Sequence, residues 1–359
     1  MTDAPPNISL TIRPGSLLAA ALVVAIMVAI YQLPYAAGAK DWMGYEYLYS
    51  REGAWLVTQG RDPAFVWLLS ISRQVLGANG YEVFRGIIYA AFMASASWLA
   101  YVARPQRRLA VLSPIAIALV LTVSFLLKSL IEIREGLAFL FVLVPAGMIF
   151  GRSGRGAAAA AVGTGISTAM HIGTVVFLAI WLAAAGFIRV KGPILAGRLF
   201  QRWMLILAVA VGVTSGLILI RSTAAVGFLL HDYGVDTSAY VQGGLRKYLY
   251  WVATGGLLLL IRAQVLDGVR GTSKFAYGYA TALVSGALPA VYAVCLILVF
   301  TNFYIPAFTA FFIRLLFTCM ELSLVIVVLR GRADWATLGV ALAMLADRVR
   351  LLLAPGLSA

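Results

Sequence analysis

The chain has 359 residues, is 62% hydrophobic and only 12% charged, and has a mean hydropathy of +0.94. No soluble globular domain needs that much apolar surface, so soluble enzymes are excluded and the chain reads as a polytopic membrane protein. Its net charge of +14 lies almost wholly between apolar runs, which points to lipid headgroups and not to nucleic acid.

A membrane helix needs about 20 mostly apolar residues. Arg13, the run 17–30 and the stretch AAGAKD have the plan of a signal peptide. The run is long enough to cross a bilayer and many more follow, so it reads as a retained first helix over 16–35. The next segment, 36–83, holds PAFVWLLSISRQVLG (63–77), which is apolar on one side and carries Arg73. That is the pattern of an interfacial helix rather than a span. Further spans are expected over 84–103, 109–127, 136–151, 157–170, 172–188, 203–221, 247–262, 275–299, 305–329 and 335–354, about 11 in all. The two around 157–188 are short, as in one broken or re-entrant unit.

The loops sort into two sets. One holds Arg104, Arg107, Arg108, Arg152, Arg155, Arg189, Lys191, Arg198, Arg202, Arg262, Arg270, Lys274, Arg330 and Arg332, with almost no acids. The positive-inside rule makes this set, and the N-terminus, cytoplasmic. The other set mixes signs, is rich in aromatics and falls on the outer side. A single integral membrane domain over 1–359 follows, with 36–83 and 222–246 as its largest outer-side pieces. No internal repeat and no GxxxxGK[ST] motif occurs. Cys295 and Cys319 lie in apolar runs and read as packing residues. The only histidines, His171 and His231, rule out a multi-histidine metal site.

Charged residues inside this greasy frame are the candidates for chemistry. SLIEIREGLAFLF (129–141) places Glu132, Arg134 and Glu135 between two apolar runs. Glu132 and Glu135 share a helix face, and Arg134 points roughly opposite Glu132. The stretch is either a solvated turn with a local ion pair or an arginine aimed at an anionic group, with a glutamate as acceptor or base. His171 follows a small-residue run that permits close helix approach, and an imidazole suits proton transfer. Arg314 and Glu321, seven residues apart, fall near one face of a span and can pair there. Asp347, Arg348 and Arg350 lie in the last span, as a pair or as interfacial anchors.

The segment IREGLAFLFVLVPAGMIFGRSGRG…STAMHIGTVVFLAIW resembles the EpsG/Wzy-like bacterial polysaccharide polymerases. In that family an Ile-Arg-Gln-like segment opens a span, a short basic turn follows, and a histidine ends the next helix. Arg134 stands at the arginine and His171 at the histidine, with Glu135 in place of the usual glutamine. AKDWMGYEYLYSREG is similar to the family's stretch after the first span, with Asp41 at the acid and Tyr45 at the tyrosine. GRDPAFVWLLSISRQVLG is similar to its Glu-Pro-Gly-Phe segment, with Asp62 and Ala64 replacing the glutamate and glycine. IPAFTAFFIRLLFTCMEL is similar to its arginine-bearing penultimate span.

The resemblance implies an all-α, polytopic helical membrane protein with an outer-facing cavity, GT-C-like in plan, in the bacterial inner membrane. The implied activity is polymerisation of oligosaccharide repeat units carried on undecaprenyl diphosphate, on the outer face, without a cofactor or metal. A flippase and a chain-length regulator are the implied protein partners. A lipid diphosphate needs cations, for which Arg134, Arg314, Arg221, Arg246 and Lys247 are candidates. The acceptor hydroxyl needs a base, for which His171, Glu132, Glu135 and Asp41 are candidates. Tyr45 and Asp62 are candidate substrate contacts by their place in the resembling segments. Two other readings stand beside this one: a transporter or flippase for a lipid-linked or anionic solute, and a ligase-type transferase using a polyprenyl donor.

Overall fold

The computed structural model describes residues 13–31, 40–58, 60–103, 112–130, 132–151, 156–189, 195–221, 245–300, 306–332 and 334–353. The described structure is 90% helix, without a strand, so the all-α class holds. The helices are α1 (Pro14–Tyr31), α2 (Lys40–Ser50), α3 (Ala54–Thr58), α4 (Pro63–Leu76), α5 (Tyr81–Val102), α6 (Leu112–Leu130) and α7 (Ile133–Phe150). After these come α8 (Ala157–Met170), α9 (Val175–Ile188), α10 (Leu195–Arg221), α11 (Leu245–Gly268), α12 (Lys274–Phe300), α13 (Pro306–Leu329) and α14 (Trp335–Leu353).

Six helices among the described residues are long and apolar enough to cross a bilayer: α1, α5, α7, α10, α12 and α13. The chain is therefore multi-pass by length and composition. The other segments expected as spans also lie on helices, but these do not reach that length and apolarity over the described residues. Over their apolar 18-residue stretches, buried residues make up 67% in α7 and 72% in α13 but only 17% in α10, which puts α7 and α13 at the centre and α10 at the rim. Around this centre α1, α5 and α6 pack together on one side, and α9, α10 and α12 on the other.

The segment 36–83 folds as short helices. α4 starts with Pro63 in its first turn and stops at Gly77, whose φ of 79° suits a residue without a Cβ. At 14 residues it is too short to span and shows Trp67 and Val75 to the surroundings, as an interfacial helix does. The expected loop 222–246 lies outside the described residues up to 244.

α8 and α9 have 14 residues each, about 21 Å of rise. They form an antiparallel hairpin in which the Trp181 indole donates to the Ala157 carbonyl (3.2 Å). Its tip is His171, followed by one 3₁₀ turn at Ile172–Thr174. This matches the broken unit expected over 157–188.

α12 contains a π-helical turn at Leu283–Ala287. The half before it packs chiefly on α9 and the half after it chiefly on α10. The Arg262 side chain of α11 donates to Ser285 within this turn (3.1 Å).

Pro145 inside α7 has no N–H for the Phe141 carbonyl. That freed carbonyl faces Gly163 of α8, where a Cβ would collide with it and with the Pro145 ring. α7 and α8 pack closely against each other because that Cβ is missing. Gly163→Ala is expected to cost about 1–3 kcal/mol through overpacking. Gly165→Ala, which meets open space inside the same helix, is expected to keep the midpoint or raise it. Thermal unfolding of the two variants in detergent measures the difference.

Candidate functional site

The site forms where the last turn of α6 abuts the first turn of α7. Gly136 permits that approach, since a Cβ there would collide with the Lys128 carbonyl. The contact places Lys128 beside both glutamates of the 129–141 stretch. Its ammonium lies 3.0 Å from Glu135 Oε1, 3.5 Å from Glu321 Oε2 and 4.0 Å from Glu132 Oε2. It also donates to Thr318 Oγ1 (2.9 Å) and lies 5.2 Å from the centroid of the Phe139 ring. Lys128, Glu132 and Glu321 are all buried, so the stretch is not a solvated turn.

Glu132 occupies the N-cap of α7 without capping it. Its other oxygen meets Arg314 Nε of α13 at 3.2 Å. Arg314 and Glu321, expected to pair along α13, each meet a charged partner on a neighbouring segment: Arg314 meets Glu132 and Glu321 meets Lys128.

Arg134 does point away from Glu132. Its guanidinium meets Asp62 Oδ2 at 2.9 Å. The same oxygen lies 3.6 Å from His171 Nδ1, and Asp62 Oδ1 accepts from the Ile172 backbone N–H (2.8 Å). Asp62 has φ 49° and ψ 53°, the left-handed region, at the N-cap of α4. A non-glycine residue there costs about 1–2 kcal/mol. Its carboxylate does not cap α4 at all, although aspartate is a preferred N-cap. The His171 backbone N–H donates to Ser167 O (2.9 Å), Ser167 Oγ to Thr174 Oγ1 (2.9 Å), and Thr174 Oγ1 to His171 O (2.7 Å). The hairpin tip is thus held by hydrogen bonds on both sides.

These groups border a small cleft of about 20 Å³ lined by Glu135, His171, Thr174, Phe311, Arg314 and Thr318, among others. The Arg314 side chain is 44% exposed, against 17% for Arg134, so Arg314 is the cation a ligand in the cleft would meet. Among the described residues no cluster of His, Cys, Asp and Glu has the makings of a metal site. A half-exposed guanidinium beside largely buried imidazole, carboxylate and hydroxyl groups around one cleft suits an anionic ligand and a proton transfer.

Of the residues singled out in the sequence, Glu132, Arg134, Glu135, His171, Arg314 and Asp62 come together here. Tyr45 sits close by, edge-on to Phe65 of α4 with centroids 5.9 Å apart. The side chains of Asp41, Arg221, Arg246, Lys247, Asp347, Arg348 and Arg350 lie outside the described residues. Lys128 and Thr318 are the site residues that sequence reasoning missed. The signal for Lys128 was its spacing, four and seven residues before the two glutamates, at the end of an apolar run.

No family model, curated protein or solved structure matches the chain.

Lys128 is one ammonium among three buried carboxylates, so Lys128→Met leaves them without their shared cation. The expected cost is about 3–5 kcal/mol, read as a lowered unfolding midpoint in detergent, and adding Glu135→Gln restores part of it.

Burial pushes the Asp62 carboxyl up, but the facing His171 imidazole, the Arg134 guanidinium and the Ile172 N–H outweigh it and hold the group below its ordinary value. A depressed folded-state value stabilises the fold above the unfolded pKa and loses that contribution as pH falls through the folded one. Asp62→Asn is therefore expected to lower the unfolding midpoint at pH 7. The gap to the unsubstituted protein closes as pH drops below about 3.9, measured by thermal unfolding across pH.

Proposed function

We propose that the protein is a membrane glycosyltransferase that polymerises undecaprenyl-diphosphate-linked oligosaccharide repeat units, for an exopolysaccharide, capsule or O-antigen. In this reading it lies in the bacterial inner membrane with about eleven spans in a GT-C-like plan, its N-terminus cytoplasmic and its cleft on the outer face. A flippase delivers the substrate and a chain-length regulator acts on the product. The observation that carries the reading is the small cleft that half-exposed Arg314 shares with the largely buried His171 and Glu135.

The chemistry asks for two things. The bond between the donor sugar's anomeric carbon and the lipid diphosphate breaks, so charge grows on the departing diphosphate. Arg314 supplies a cation for it, an electrostatic role. The acceptor hydroxyl forms the new glycosidic bond and loses its proton to a base. Glu135 is engaged by Lys128 and Thr318, which leaves His171 as the better candidate base. Arg134, committed to Asp62, supports the site rather than meeting phosphate.

A transporter or flippase remains the second reading, supported by the ion network of Lys128 and Glu321 buried among α6, α7 and α13. The meeting of charges at the end of α6, the start of α7 and the tip of the α8–α9 hairpin favours a reaction there over a path across.

Purified protein in lipid vesicles with a matched undecaprenyl-diphosphate repeat unit tests the proposal. Elongation is expected from the unsubstituted protein. It falls about 100-fold or more in Arg314→Gln and His171→Ala, both folded. Translocation of the intact lipid without elongation would overturn the transferase in favour of the transporter.

A further inference from the structure

We infer that Asp62 is a positioning residue, whose carboxylate fixes the His171 imidazole with Nδ1 turned inward and Nε2 presented to the cleft. Its catalytic consequence rests on the transferase reading above; its structural content does not.

Three features of Asp62 carry the inference. The carboxylate is almost fully buried, yet it gives its own helix no cap. The backbone takes a left-handed conformation immediately before Pro63, and strain of this kind persists where the surroundings over-determine it. What the strained geometry achieves is a reach across to the α8–α9 hairpin. Oδ1 accepts from the backbone N–H next to His171, and Oδ2 faces the imidazole itself.

The other ring nitrogen is placed by its neighbours. A Cβ built at Gly173 would lie 2.8 Å from His171 Nε2 and 2.8 Å from the Phe311 ring. Gly173 and Phe311 both line the cleft, so Nε2 is on the cleft side. An imidazole whose Nδ1 faces a carboxylate keeps its proton there, and Nε2 is left as the acceptor for a substrate hydroxyl. The 3.6 Å separation is longer than a hydrogen bond, as is common before substrate tightens a site. Arg134, on the same Oδ2, completes the arrangement by keeping the carboxylate ionised and in place.

The chain's two histidines make this directly readable. In a His231→Gln background, imidazole ¹⁵N shifts report His171 alone. The Nδ1–H tautomer is expected with Asp62 present, and a shift toward the Nε2–H tautomer in Asp62→Asn. Asp62→Glu keeps the charge, and is expected to retain Nδ1–H and to hold elongation above that of Asp62→Asn. In the vesicle assay Asp62→Asn lowers kcat about tenfold or more, with KM for the lipid donor unchanged. Unchanged imidazole shifts in folded Asp62→Asn would overturn the inference. Were that variant not to fold, an Nε2–H tautomer in either the Asp62-bearing protein or folded Asp62→Glu would do so. A tautomer shift without any elongation by the unsubstituted protein would instead leave the positioning role standing and remove the transferase.

Discussion

The arrangement depends on one buried ammonium. Lys128 lies among Glu132, Glu135 and Glu321, and it ties the end of α6 to the start of α7 and the middle of α13. Burying a single charge is costly, and burying four is tolerable only when each finds a partner. That demand fixes more than the ions themselves. Once Glu132 and Glu135 are drawn to one side, Arg134 is left to face the other way, toward Asp62. Asp62 in turn reaches the hairpin tip. A chain of opposite charges thus runs from the central helix α13 through α7 to the interfacial helix α4.

The composition made the all-helical class legible, and the apolar runs marked where helices would stand. The span count was less legible, because length and hydropathy treat a short hairpin such as α8–α9 and a full crossing alike. In the candidate site, Arg134, His171 and the two glutamates could be picked out as charges in an apolar setting. Their partners could not. Asp62 lies 110 residues before Ile172 and meets it only through the way α4 docks on α8. Spacing along one helix suggested Arg314 and Glu321 as a pair, and it could not see that each also meets a charged neighbour on another segment. Lys128 was hidden by its position at the end of a run, where the boundary between loop and helix is hardest to read.

Two glycines and a proline do as much to shape the site as the charges. Gly136 lets α7 start hard against α6, which brings Lys128 to its glutamates. Pro145 and Gly163 seat the hairpin on α7, and so set where His171 lies relative to Arg134. The functional groups are thereby carried on helix ends held by close backbone contact, rather than on free loops.

The π-helical turn in α12 has a consequence for how this fold can change over evolutionary time. A π turn accommodates one residue more than an α-helical turn, and one residue is about 100° of rotation. The two halves of α12 meet different neighbours, one α9 and one α10. Deleting a single residue within 283–287 would collapse the wide turn to an ordinary α-helical one and leave each half facing its present neighbour. The same deletion in either flanking α-helical half would turn everything beyond it by about 100°. The π turn is thus the place in α12 where a length change of one residue need not become a change of neighbours.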